Sequence, residues 1–154
     1  MGRLIVRNIN ELPLRPVTQL TYEGKKKPVK NVKMRWIIHE MVGDENYRKQ
    51  VALRFFELKP GAKIPFHNHF YQEIVIIMSG KVKVATKGKV CLVRKGGKTE
   101  VLSKNSVVLG SGDVFYTYPW EPHSLVNEGK ETVTLYCIID CPNCRVCTPP
   151  NEFL

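Results

Sequence analysis

The chain has no long apolar run. Among its 154 residues no stretch approaches the ~18 consecutive apolar residues of a membrane-spanning helix, so no membrane partner is expected. Acidic side chains are also scarce: 14 Asp and Glu stand against 24 Lys and Arg, a formal net charge of +10. That excess admits three readings, namely nucleic acid, steering of anionic substrates, or a solvated lysine-rich exterior. No motif for reading DNA or RNA accompanies the charge, so no nucleic-acid partner is expected. Helical periodicity is missing too, and no segment is long or periodic enough to be read as a trusted helix. Histidine is scarcer still, with 4 residues; their placement therefore carries information.

What is present is strand signal. Residues 51–58, 73–78, 81–86, 89–93, 99–102, 106–109, 113–118 and 132–139 are short runs rich in β-branched or aromatic side chains, the composition of strands. The stretches KPGA, SGK, KGK, KGGK, GSGD and NEGK separate them and read as turns. Lys81 and Lys83 alternate with Val82 and Val84, so the lysines belong to the outer face of a strand. Many short strands at near-regular spacing indicate an all-β sandwich or barrel. A chain of this length fits one domain, residues 1–154, able to bury its own core.

Within it, residues 1–34 are broken by Pro and Lys and are expected to form an extended arm or an edge strand. Residues 35–140 are expected to form the barrel, with a strand over 34–40 and a loop over 42–47. Residues 141–154 form a cysteine-rich tail. The apolar patch in residues 1–16 is too short for a signal peptide, and Val6 stands where N-myristoylation wants Ser or Thr. The expected location is the cytoplasm.

The segment from Gly61 to Gly80, GAKIPFHNHFYQEIVIIMSG, holds His67 and His69 and, four residues on, Glu73. Side chains at i and i+2 of extended chain share a face, so two imidazoles can reach one ion. Glu73 joins them only if the chain turns, because straight strand would carry it about 13 Å away. His123, in YPWEPHSLVN, is a candidate fourth ligand from a distant strand. Imidazoles plus a carboxylate suit one divalent transition metal: Fe, Mn, Ni, Cu, Co or Zn. His39 is read as structural.

These residues resemble the cupin family. Its first motif is Gly, five residues, His-x-His, three or four residues, Glu, six residues, Gly, and Gly61, His67, His69, Glu73 and Gly80 match every fixed position. Its second motif is matched by Gly112, His123 and Asn127, while Tyr118 and Trp120 replace the usual Pro and Gly. The resemblance covers roughly residues 50 to 139. It implies a jelly-roll barrel, the double-stranded β-helix, with His67, His69, Glu73 and His123 on one metal. It further implies a small-molecule substrate in the barrel and a homodimer paired through edge strands.

Phe55, Phe66, Tyr71, Phe115, Trp120 and Cys137 are candidate pocket residues, each with ordinary packing as the alternative, and Gln72 is a candidate partner of Glu73. The expected function is a metal-dependent oxygenase, with Glu73 as a base if it leaves the metal. A non-redox isomerase or lyase on a sugar or keto acid, and a binding protein without catalysis, are the alternatives. Cys141, Cys144 and Cys147, spaced Cys-x2-Cys-x2-Cys, could be free, disulfide-bonded or metal-binding.

Overall fold

Period-two alternation dictates most of what the chain forms. In the computed structural model, described over residues 4, 6–39, 41–43, 48–140, 149 and 151, the elements are almost all strands. They are β1 (Arg15–Pro16), β2 (Gln19–Tyr22), β3 (Lys25–Pro28), β4 (Lys30–Ile38), β5 (Met41–Gly43), β6 (Arg48–His67) and β7 (Glu73–Ser79). There follow β8 (Lys81–Thr86), β9 (Cys91–Val93), β10 (Thr99–Val101), β11 (Ser106–Gly110), β12 (Val114–Thr117), β13 (His123–Val126) and β14 (Val133–Asp140). Short 3-10 turns at Ile9–Glu11 and Lys95–Gly97 are the helical pieces among the described residues. No helix there is long and apolar enough to cross a membrane.

The principal sheet has the strand order β11-β8-β13-β6-β14-β7-β12, all pairs antiparallel, with β4 and β5 added on β6 and β1 on β4. It curls into a nearly closed barrel because β6 serves two layers. Its first part, Val51 to Leu58, pairs with β14, and its last part, Lys63 to His67, pairs with β13. The bend between them falls at Pro60-Gly61, where Gly61 has φ +74°. Gly80, also at φ +74°, carries the chain from β7 in one layer to β8 in the other. A Cβ on Gly80 would lie 2.9 Å from Val133 Cγ2, so this turn excludes a side chain by contact as well as by backbone.

Asn127 pins the return from β13 to β14. It is fully buried, donates through Nδ2 to the Leu58 and Glu131 carbonyls at 2.9 and 2.7 Å, and accepts from the Gly129 N–H at 3.0 Å.

Inside the barrel lies one core of aliphatic side chains, including Leu58, Ile64, Val75, Ile77, Val82, Leu125, Val133, Leu135 and Ile139. Lys81 and Lys83 face outward while Val82 and Val84 are buried, as alternation requires. The all-β jelly-roll expectation therefore holds.

Several boundaries move. Strand β6 runs on through Lys59-Pro60-Gly61-Ala62, expected as a turn, because a bulge-like bend keeps the ladder going. The strand expected over 34–40 is β4 and begins at Lys30. Val42 and Gly43, expected in a loop, pair with Lys49 and Arg48. The Pro- and Lys-rich segment includes a hairpin, β2–β3, turning at Glu23-Gly24 with φ values of +50° and +72°. Cys141, Cys144 and Cys147 lie outside the described residues.

Candidate metal centre

Two neighbouring strands present the histidines. His67 is the last residue of β6 and His123 the first of β13, and the two are cross-strand partners; their ring centroids are 4.3 Å apart. His69 stands two residues beyond the end of β6, and the chain turns through Phe70, Tyr71 and Gln72 before β7 opens at Glu73. That turn removes the long straight-strand separation and brings Glu73 back. Its Oε2 is 3.3 Å from His69 Nε2 and its Oε1 is 3.6 Å from His123 Nε2. One ligand nitrogen from each of His67, His69 and His123 lies within 4.8 Å of the others.

Each imidazole is held by its other nitrogen. Nδ1 of His67 meets the Pro65 carbonyl at 3.0 Å, Nδ1 of His69 the Tyr71 carbonyl at 2.8 Å, and Nδ1 of His123 the Glu121 carbonyl at 2.9 Å. A carbonyl only accepts, so each Nδ1 carries a hydrogen, and in the neutral ring each Nε2 keeps the lone pair. Nε2 of His69 and His123 are buried with no hydrogen-bond partner. Buried polar atoms are rarely left so. Three oriented lone pairs beside a carboxylate fit a divalent transition metal, and backbone carbonyls behind the rings are the usual support of metal-binding imidazoles. Tyr71 stacks on His69 with centroids 4.0 Å apart and planes 8° from parallel, which fixes that ring further.

Arg54, absent from the sequence-derived site, completes the cluster. Its Nη2 donates to Glu73 Oε2 at 3.1 Å and to Cys137 Sγ at 2.8 Å, and the rings of Trp36 and Phe56 flank the guanidinium at 5.4 Å.

The electrostatics follow from this packing. Burial alone would raise the Glu73 acid, but His123, His69 and Arg54 outweigh it and hold the carboxyl well below its ordinary range. Burial, with His123 beside it, depresses His67 to about 4. Burial also works against charge on His123, yet the Glu73 carboxylate more than offsets it and raises that imidazole. Burial pushes the Cys137 thiol up against the pull of Arg54, so Cys137 remains an S–H and an inert nucleophile.

Below the centre is a cavity of about 90 Å³. Val17, Leu20, Met34, Phe56, Ile64, Val75, Leu125 and Leu135 make its apolar wall, with Arg54, Tyr71, Glu73 and Cys137 as its polar contributors beside His67 and His69. Beside it is a wider mouth of about 540 Å³ bordered by the β2–β3 hairpin, by Asn68 and Phe70 of the β6–β7 connection, and by Trp120 of the β12–β13 connection.

The structure thus brings His67, His69, Glu73 and His123 together, sets Tyr71 and Cys137 on the cavity, and puts Trp120 at the mouth. Phe55 and Phe66 do not border the cavity. Phe55 alternates with Arg54 and Phe56 and packs against Tyr136; Phe66 alternates with His67, which turns it to the other face. Phe115 packs on the core without lining the cavity. Gln72 bonds Tyr116 and Asp140, not Glu73.

The missed residues had a signal. Ala52, Arg54, Phe56 and Leu58 share one face of β6, and an arginine in phase with buried apolar residues is the sort of buried charge that needs a partner.

Comparison with known proteins agrees with the fold. The family model described as Cupin matches residues 42–146. Among solved structures, the polyketide cyclase RemF from Streptomyces resistomycificus superposes with a TM-score of 0.58 at 19% identity, covering 92% of this chain and 80% of that one. An RmlC-like cupin from Shewanella frigidimarina gives 0.56 at 14% identity, with 92% and 94% covered. A cupin 2 conserved barrel domain protein from Salinispora arenicola gives 0.55 at 17%, with 90% and 89% covered. No curated protein matches the sequence. At these identities the structural likeness speaks for the fold, and with the family match over most of its length the chain belongs to the cupin family.

Proposed function

We propose that this cupin is a metal-dependent oxygenase acting on a small organic substrate, with one divalent transition metal held by His67, His69, His123 and Glu73. The observation that carries the metal is the convergence of three lone pairs, each aimed by its own backbone carbonyl. When bound, such an ion supplies Lewis acidity and, for a redox metal, electron transfer at open coordination positions. The chain's own residues orient and enclose. Tyr71 and the backbone carbonyls keep the imidazoles in place, Arg54 fixes the Glu73 carboxylate, and the aliphatic wall excludes water. A carboxyl held as low as that of Glu73 is a poor proton acceptor, which favours its role as ligand over its role as base.

The wall disfavours the sugar form of the isomerase or lyase alternative and leaves its keto-acid form to experiment. A sugar brings many hydroxyls that need partners, and the cavity offers mostly aliphatic carbon. The experiment is to strip the protein with chelator, reload it separately with Fe(II), Mn(II), Cu(II), Ni(II) or Zn(II), and follow oxygen uptake over a panel of small organic acids, phenols and thiols. Uptake with one redox metal, lost in His67→Ala, supports the oxygenase. Turnover without oxygen, zinc included, moves the assignment to isomerase or lyase. Tight ligand binding without turnover moves it to a binding protein.

The same proposal includes a cytoplasmic homodimer. Strand β12 ends the sheet and exposes Val114, Tyr116 and, just beyond it, Tyr118; light scattering on the purified chain checks the stoichiometry.

A further inference from the structure

Arg54 is placed where a charge is costly. It lies on the inward face of β6, its side chain 13% exposed, between two aromatic rings that fix the guanidinium plane. A guanidinium has five N–H donors. One nitrogen, Nη2, is shared between Glu73 and the Cys137 sulfur, a weak acceptor. Another, Nε, is buried with no partner. Leaving a buried charged donor unserved is expensive, and the guanidinium borders the cavity.

Charge counting leads to the same place. Arg54 and Glu73 cancel each other, and three neutral imidazoles add nothing. A divalent ion on that set leaves an uncompensated +2 within aliphatic walls, and a buried charge of that kind needs an anion close by.

From the mouth side the hairpin contributes Leu20, Thr21, Glu23 and Gly24, so the positive charge that would meet an anion is that of Arg54 inside the cavity.

We propose that Arg54 receives a substrate carboxylate inside the barrel, so that the molecule this protein acts on is a small organic acid held between Arg54 and the three-histidine centre. A planar guanidinium pairs with a carboxylate through parallel N–H donors, and a carboxylate oxygen is a better acceptor than the thiol it displaces. Size narrows the class. A cavity of about 150 Å³ holds the six carbons of benzene, so 90 Å³ admits an acid head of roughly three to four non-hydrogen atoms, the carboxylate and the carbon that bears it. Sugar phosphates and nucleotides are too large to enter, although a longer acid can extend its tail into the mouth.

The inference rests on the metal reading of the site, and one titration series separates the two. Zinc is first titrated into chelator-treated protein. Pyruvate and its neutral counterpart pyruvamide are then titrated into the zinc-loaded protein by calorimetry, with the fluorescence of Trp36, which packs on Arg54, as a second readout. The wild type is expected to bind pyruvate about tenfold or more tighter than pyruvamide. Arg54→Met is expected to bring the two within about twofold, and Arg54→Lys to retain part of the preference.

Equal affinity in the wild type, or a preference that survives in Arg54→Met, overturns the proposal. Where Arg54→Met does not fold or does not hold zinc, Arg54→Lys decides, and an undiminished preference there overturns it as well. Zinc that fails to bind the wild type overturns both this proposal and the metal reading, and it shows before any acid is added.

Discussion

At the residue scale the site is defined by what burial does to each group. His67 is an imidazole held neutral: burial and the neighbouring His123 bring it to about 4 against an ordinary 6.5. Between those values the unfolded chain binds the proton more readily than the folded one. The stability His67 contributes is therefore fully present above pH 6.5 and is lost as pH falls toward 4. His123, raised by Glu73, works in the opposite sense, its contribution being present below 6.5 and lost as pH rises through its folded value. The comparison that isolates His67 is metal-free wild type against metal-free His67→Gln, melted at about pH 7 and about pH 4.5. The wild type is expected to lose more melting temperature on acidification than the variant. Equal losses contradict the assignment of a depressed imidazole. Arg54 shows the complementary case, a charge kept inside by a carboxylate and two rings.

At the scale of elements, the motif positions prove to be the places where the chain changes layer. Gly61 bends β6 between its two partners, Gly80 turns β7 into β8, Gly112 at φ +87° turns β11 toward β12, and Asn127 pins the turn from β13 to β14. Trp120 is the exception. It occupies φ +67° where the family's glycine costs nothing, and its ring stands 63% exposed at the mouth. A bulky residue there stores of order 1 kcal/mol or more of backbone strain. Trp120→Gly is thus expected to raise stability by about 1 kcal/mol, whereas Gly80→Ala, which meets Val133 as well as positive φ, is expected to lower it by about 1–3 kcal/mol. Urea unfolding of the two variants checks both signs. A Trp120→Gly protein less stable than wild type would show that the indole is held by packing and not by function.

These elements also show how far the sequence could be read. The strands and the grouping of His67, His69, Glu73 and His123 were legible because period-two alternation and fixed spacing are local signals. The N-terminal hairpin was not, since Pro and Lys mask a pairing that tertiary contact with the barrel mouth supports. Phe55 was mistaken for Phe56 because two adjacent aromatics give no phase until the strand's register is known. The partner of Arg54 is not legible locally, because it lies 19 residues away and two strands along the sheet.

For the whole molecule, the barrel is a shell around polar groups that are costly to bury unpaired. Apolar walls surround three oriented imidazoles, a carboxylate and a guanidinium, and the β2–β3 hairpin borders the mouth through Leu20, Thr21, Glu23 and Gly24. On the proposed metal reading, an ion bound to the folded state alone would stabilise it by mass action and link metal content to folding. The direct test of that account is elemental mass spectrometry on protein purified without added metal and again after metal addition, beside a folded His123→Ala variant. The account predicts about one transition-metal ion per chain in the wild type, lost in the variant. No metal in the wild type, and none retained after addition, would contradict it and remove His67, His69, Glu73 and His123 as a metal centre.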